Sequence, residues 1–243
     1  MELQVPETLL TRIRAALERD VRVNMHQTPI TVWAQKGQIV LDGMVGDIVA
    51  KRAAVNGTFK LTQGRWPVLD LLRVMPGKAM EDLSLRDEVA GMLTKEPVFA
   101  DYTLTVAVDD EITTLHDSGR PACHIHIDIQ NGVVTLVGQV ESLSHRRLAE
   151  ALTWWAAGCV SVNNLLTVVP AEEDTDDELT DAVRLLLEKD PLVHADQLRV
   201  GTAAGVVELS GSVASDQEKR LAVLDAWYIA GVWDVIDRIE VRR

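Results

Sequence analysis

Only two cysteines, Cys123 and Cys159, occur in 243 residues, which excludes a disulfide framework. Aromatic residues make up 4%, so aliphatic side chains must build most of the core. No run of 18 or more uncharged apolar residues is present, and so no membrane span is expected. The opening Met1-Glu2-Leu3-Gln4-Val5-Pro6 lacks a basic stretch followed by an apolar one. The expectation is a cytoplasmic chain without a secretory leader, its thiols reduced and buried. Also missing are a Walker-type phosphate loop, a dinucleotide glycine fingerprint, His-Glu-x-x-His and Gly-x-Ser-x-Gly. No carboxylate pair stands out by spacing, so no catalytic residue, no enzyme activity and no cofactor is expected. Positive charge is short as well: 24 Lys and Arg against 37 Asp and Glu give a net charge of −13. That argues against wrapping nucleic acid or an anionic bilayer with the whole surface.

What remains is an ordinary globular balance, 47% hydrophobic and 25% charged. The length fits one large domain or two to three small ones. Internal repetition decides between them. Glycines fall in triplets: Gly37, Gly43, Gly64; Gly132, Gly138, Gly158; Gly205, Gly211, Gly231. The second and third sets have gaps of 6 and 20, the first of 6 and 21. Eight and nine residues after the second glycine stand Lys51-Arg52, Arg146-Arg147 and Lys219-Arg220. Sixteen residues after it stand Phe59, Trp154 and Trp227. Gly231 to Asp237 aligns without gaps over Gly64 to Asp70 and over Gly158 to Asn164.

Each copy reads as helix, strand, strand, helix, strand. Leu179, Ala182, Val183, Leu186 and Leu187 form one apolar helix face, with Thr175 or Asp176 as cap and Pro191 beyond the end. Asn131-Gly132 suits a tight hairpin. Ser215-x-x-Glu218 is a capping box for a second helix running to about Ala230, with Gly231 as its left-handed stop. Ile125, Ile127 and Ile129 alternate toward the core with Val134 and Leu136. The fold class is therefore α+β, three tandem two-layer units with small mixed sheets, bounded at about 1–76, 77–170 and 171–243. The glycines serve as hairpin turn, strand end and helix stop.

The stretches Gly132-Val133-Val134-Thr135-Leu136-Val137-Gly138-Gln139-Val140 and Gly205-Val206-Val207-Glu208-Leu209-Ser210-Gly211-Ser212-Val213 resemble the BON domain. Gly231-Val232-Trp233-Asp234-Val235 is similar to that family's Gly-Val-x-x-Val ending. The resemblance covers nearly the whole chain as three copies, weakest in the first. It implies a non-enzymatic module that binds phospholipid or protein, in bacterial stress, envelope or transport physiology. Many members are exported. KH domains share the helix-strand-strand-helix order, but a Gly-x-x-Gly loop between helices and a basic groove are missing, which argues against RNA binding.

Some segments depart from the repeat. From Glu96 to Gly132 is 36 positions, whereas Asp190 to Gly205 is 15, an excess of 21. The inserted text lies within residues 101–121. Thr103 to Val108 alternates like a strand and Asp109-Asp110 can turn, so an extra hairpin is expected. The outer face of the middle sheet, with Val133 and Val137, calls for a cover by this hairpin or by another subunit. The run Glu172 to Glu178 reads as a solvated acidic linker and helix start, or else as a cation- or basic-partner tail. Net charge by copy is +3, −7 and −9, so only the first could meet an anionic lipid surface.

Candidate ligand and partner residues are few. His124, His126 and Asp128 project from one sheet face and are weak metal candidates, with no third ligand at a diagnostic spacing. Cys123 and Cys159 each begin a strand of one unit and could approach if those strands were neighbours. Arg52 with Phe59, Arg147 with Trp154, and Arg220 with Trp227 are seven residues apart, nearly one helix face. They either close the core edge or form a docking surface between units or to a partner. The functional expectation is a non-catalytic binding or scaffold protein that self-associates or captures a protein. A peripheral phospholipid-binding protein and an ion- or metal-responsive module are the alternatives.

Overall fold

The computed structural model describes residues 4–108, 111–119 and 123–242. The chain divides into two compact units, Met1–Met75 and Pro76–Arg243. The expected Asp109-Asp110 turn and the insertion's end at Pro121 lie outside the described residues.

The first unit has helix α1 (Glu7–Arg19), strands β1 (Thr31–Gln35) and β2 (Gln38–Val45), helix α2 (Ile48–Thr62) and strand β3 (Val68–Val74). Leu9, Leu10, Ile13 and Leu17 fall on the buried face of α1 because their spacing follows the helical period. They meet Val32, Ile39, Leu41 and Leu72, the inward side of a sheet ordered β1-β2-β3. The β1–β2 pair is antiparallel and β2–β3 parallel, because α2 carries the chain back across one face.

The second unit holds two further copies. One comprises α3 (Asp82–Lys95), β4 (Thr103–Val108), β5 (Glu111–His116), β6 (His124–Gln130), β7 (Val133–Val140), α4 (Leu143–Trp155) and β8 (Ser161–Val168). The other comprises α5 (Asp176–Lys189), β9 (Leu198–Ala203), β10 (Val206–Val213), α6 (Asp216–Tyr228) and β11 (Asp234–Val241). Each has the first unit's antiparallel hairpin followed by a parallel strand. Ile125, Ile127, Val134 and Leu136 are fully buried as the alternation requires, and Ile129 is half-buried at the edge.

The insertion does not cover the middle sheet. Strands β4 and β5 extend it edge-on, giving the order β5-β4-β6-β7-β8. β4 pairs parallel to β6, and its Leu104 and Val106 continue the core face under α3. Pairing at the edge satisfies a whole row of backbone groups on β6, which stacking over the face would leave open.

The glycine roles are reproduced with one correction. Gly37, Gly132 and Gly205 turn the hairpins with φ near +73°, each after a residue that also has positive φ. Gly43, Gly138 and Gly211 lie within β2, β7 and β10 instead of at a strand end. There a Cβ would stand 2.1 Å from the carbonyl oxygen of His124 at Gly138 and 2.1 Å from that of Gln197 at Gly211. The helix stop also shifts: α6 ends at Tyr228, with Ile229 extended, so Gly231 lies in the following turn.

A shared brace ties each first helix of the second unit to its own hairpin. The Asp82 carboxylate accepts the amides of Asn131 (2.7 Å) and Gly132 (2.8 Å). Asp176 repeats this with Ala204 (2.7 Å) and Gly205 (2.8 Å), leaving the cap of α5 to Thr175. Replacing Asp176 by alanine should cost about 1.5–3 kcal/mol, the worth of a charged acceptor on two amides. Urea unfolding followed by circular dichroism measures it, and a loss below about 0.5 kcal/mol would show the brace to be dispensable.

Candidate functional site

The second and third copies meet along α4, which packs against α5 and α6. Arg147 stands at the centre of this seam and is 4% exposed. Its Nε donates to the carbonyl of Ala230 (2.9 Å) and its Nη2 pairs with Asp174 (2.5 Å). Lys189 of the third copy pairs with Glu96 of the second at 2.7 Å. Trp155 Nε1 donates to Asp225 Oδ1 across the same seam at 3.3 Å. Burial first, then the adjacent Asp190 carboxylate, pushes Asp225 up to about 8.

The acidic run is largely exposed and opens α5, as its composition suggests, and four of its carboxylates are also bonded to the fold. Glu172 accepts the Leu143 amide at the start of α4 (2.7 Å), and Glu178 accepts the Ser144 hydroxyl (3.2 Å). With Asp174 on Arg147 and Asp176 on its hairpin, the run stitches the third copy to the second. A carboxylate at the N-terminus of α4 is favoured by the free amides there.

A cavity of about 200 Å³ opens at this seam, lined in part by Arg146, Arg147, Glu150, Asn164, Asp174 and Gly231. One nitrogen of the lining residue Arg147, Nη1, is buried without a hydrogen-bond partner.

The arginine–aromatic pairs do not share one environment. Trp154 and Trp227 are buried with Arg147, whereas Phe59 and Arg220 are exposed and Arg52 is intermediate. Arg147 is thus brought into the contact between copies. Sequence reasoning missed Asp225, Asp174 and the importance of Arg146. The aligned offsets contained a signal for Arg146, since the position of Asp70 and Asp237, which pair with Lys51 and Lys219, holds Asn164 here.

His124 and Asp128 are exposed on the outer face, and His126 Nδ1 is hydrogen-bonded to the Thr105 hydroxyl at 3.0 Å. Among the described residues no group of three or more His, Cys, Asp or Glu is placed to hold a metal. Cys123 and Cys159 are buried and are not disulfide-bonded. They cannot approach through neighbouring strands. β6 and β8 flank β7, and the start of β6 faces the end of β7 while the start of β8 faces its beginning.

The middle copy holds one network with acid–base groups. The Tyr102 hydroxyl accepts the Glu141 amide (2.9 Å) and faces His145 Nδ1 (2.8 Å), so it donates there and His145 carries its proton on Nε2. Burial pushes Tyr102 up to about 12 and holds His145 below its usual value. Phe99 packs edge-on against both rings. Tyr102 is 1% exposed, and this is a core network that anchors the insertion to α4. His194 and Glu218 are likewise structural. Burial opposes the Glu218 charge, but the amides of His194 and Ala214 outweigh it and keep that carboxyl below its ordinary range.

The outer sheet faces differ by copy. In the first, Trp33, Val40 and Leu69 stand in register; Val40 is fully buried there, whereas Leu69, Met44 and Leu71 are exposed. In the middle copy, Val137 is paired with Leu165, which is 62% exposed. The third presents Glu208, Ser210 and Arg238, with Arg238 paired to Glu208 at 3.2 Å. No helix among the described residues is long and apolar enough to cross a membrane.

No match is found among curated proteins. Two solved structures from Chlamydia trachomatis align over almost the full chain. The C-terminal domain of CdsD, a structural protein of the Type III secretion system, is 15% identical, covers 99% of this chain and 100% of its own, and has a TM-score of 0.26. A second CdsD structure is 16% identical over 97% and 92%, with a TM-score of 0.25. The BON domain family matches at residues 104–170, within the middle copy after α3, and at 175–243, the third copy. With more than half of its length matched in two tandem modules, the chain belongs to the BON domain family.

Proposed function

We propose that the chain is a non-catalytic scaffold whose modules bind protein, with self-association through the outer sheet faces as the principal mode. The observation that supports this most is the seam itself. Two modules of the same fold are held together by α4 against α5 and α6, through Arg147, Trp155 with Asp225, and Lys189 with Glu96. Binding a like module is thus something this fold already does. In the second unit the helices are used for that purpose and the sheet faces stay open. The apolar rows on the first two sheets suit face-to-face stacking on a second copy, related by a two-fold axis. By family analogy alone, such work would suit stress or envelope physiology.

Light scattering after size exclusion should give a mass above that of one chain, rising with concentration. Leu71→Asp together with Leu165→Asp should return it to one chain with an unchanged circular dichroism spectrum. A wild-type protein that stays at single-chain mass throughout would sink the proposal. Phospholipid binding, which rests on the net +3 of the first copy, predicts salt-sensitive pelleting with anionic vesicles instead.

A further inference from the structure

Each copy places a cation eight residues after its second glycine, and two of the three cations are fully used. Lys51 Nζ donates to the Leu72 carbonyl (2.5 Å) and pairs with Asp70 (2.8 Å). Lys219 repeats this with the Ile239 carbonyl (2.6 Å) and Asp237 (3.1 Å). The acid also accepts a backbone amide of its own strand, Leu72 for Asp70 and Ile239 for Asp237.

In the middle copy Asn164 replaces the acid. Its Oδ1 keeps the backbone role and accepts the Leu166 amide at 3.2 Å. Its Nδ2 turns away, to the main-chain carbonyl of Arg146 (3.0 Å) and to Glu150 (3.1 Å). The guanidinium of Arg146 therefore has no ion-pair or hydrogen-bond partner among the described residues. Arg146 lines the 200 Å³ cavity at the seam. The same cavity is lined by Arg147, whose Nη1 is buried and unpartnered although its Nε and Nη2 are bonded. The two acids of the lining are already engaged, Asp174 by Arg147 and Glu150 by Asn164. The unpartnered donors of these lining residues sit on two guanidinium ions, and what they lack is an acceptor.

We propose that this cavity is a binding site for an oxyanion, a phosphate or carboxylate group bridging the Arg146 guanidinium and Nη1 of Arg147. Planar guanidinium donors match such oxygens in pairs. The site is independent of the sheet faces, so it stands or falls separately from self-association. Since Arg147 is also fixed by the carbonyl of Ala230, a bound anion would span the second and third copies and tighten their seam.

Two probes separate the sources of such a group: inorganic phosphate by calorimetry at low chloride, and vesicles containing phosphatidic acid by sedimentation. Each is applied to the full chain and to Arg146→Gln and Asn164→Asp. The second variant introduces the carboxylate that the other copies carry, which can pair with Arg146 at the cost of the two bonds that Asn164 Nδ2 gives to the Arg146 carbonyl and to Glu150. Its circular dichroism spectrum should match that of the wild type, so that a loss of binding reads capture of Arg146 and not unfolding. Phosphate or vesicle binding should weaken about tenfold or more in both variants. The probe that binds identifies the anion as free or lipid-borne. Failure of the wild type to bind either probe would overturn the proposal, as would binding unchanged in Asn164→Asp.

Discussion

Gly138→Ala should unfold the middle module under conditions where the wild type is stable. Gly138 sits in β7 with φ of +147°, a region closed to side chains, and its pairing partner on β6 is Ile125. A Cβ there would stand 2.1 Å from the His124 carbonyl oxygen and 2.9 Å from its carbon. Neither atom can move without breaking the β6–β7 ladder. Backbone strain and overpacking together cost about 3–5 kcal/mol. A typical domain has only about 5–15 kcal/mol of stability, so the loss is a large share. Gly91→Ala is the internal control. Gly91 lies inside α3 with nothing within 4 Å of a built Cβ, and alanine there should add about 0.5–1 kcal/mol. Urea midpoints of the two variants should move in opposite directions. If Gly138→Ala unfolds within about 1 kcal/mol of the wild type, the second glycine of the triplet is not imposed by close approach.

The spacing of that glycine was visible in the sequence, but its cause was not. Repetition at a fixed offset shows that Gly43, Gly138 and Gly211 do one job, while only coordinates place the facing carbonyls of Pro29, His124 and Gln197. The repeat, its element order and its buried alternation were legible because they depend on local period and turn chemistry. The placement of the insertion was not. Thr103 to Val108 shows a strand, yet alternation is the same for a strand that pairs at an edge and one that folds over a face. What decided it was Leu104 and Val106, which extend the core under α3, and the free edge of β6.

The seam was the least legible part. Arg147 belongs to a stripe shared by all three copies, and nothing local distinguishes it from Arg52 and Arg220. Its burial depends on Asp174 and Ala230, 27 and 83 residues away. The acidic run had the composition of a linker, because a carboxylate bonded to a neighbouring helix looks the same in sequence as one bonded to water. Asn164 against Asp70 and Asp237 is the exception. There a change in one copy could be read against two others, and it predicts a cation released from its partner.

Asp225 carries the other large effect. Asp225→Asn should stabilise the protein by about 2–4 kcal/mol near pH 7, with the gain growing toward pH 8 and vanishing near pH 4. The carboxyl is 3% exposed, with Oδ1 on Trp155 Nε1 and Oδ2 buried without a partner. Burial and the Asp190 carboxylate raise it from 3.8 to about 8. A proton on Oδ2 would turn repulsion by Asp190 into a hydrogen bond. Between those two values the folded chain holds a proton that the unfolded chain has lost, so stability is complete below the lower one and declines as pH rises toward the upper one. Asparagine keeps the acceptor for Trp155, offers an amide to Asp190 and never ionises. His145 works in the opposite sense, because its depressed value costs stability only as pH falls below about 6.5, and it is common to both proteins, so it cancels in the difference. The measurement is the urea midpoint of wild type and variant at several pH values from 4 to 8.5. Parallel curves would mean that Asp225 is ionised in the fold, with a counter-charge close by.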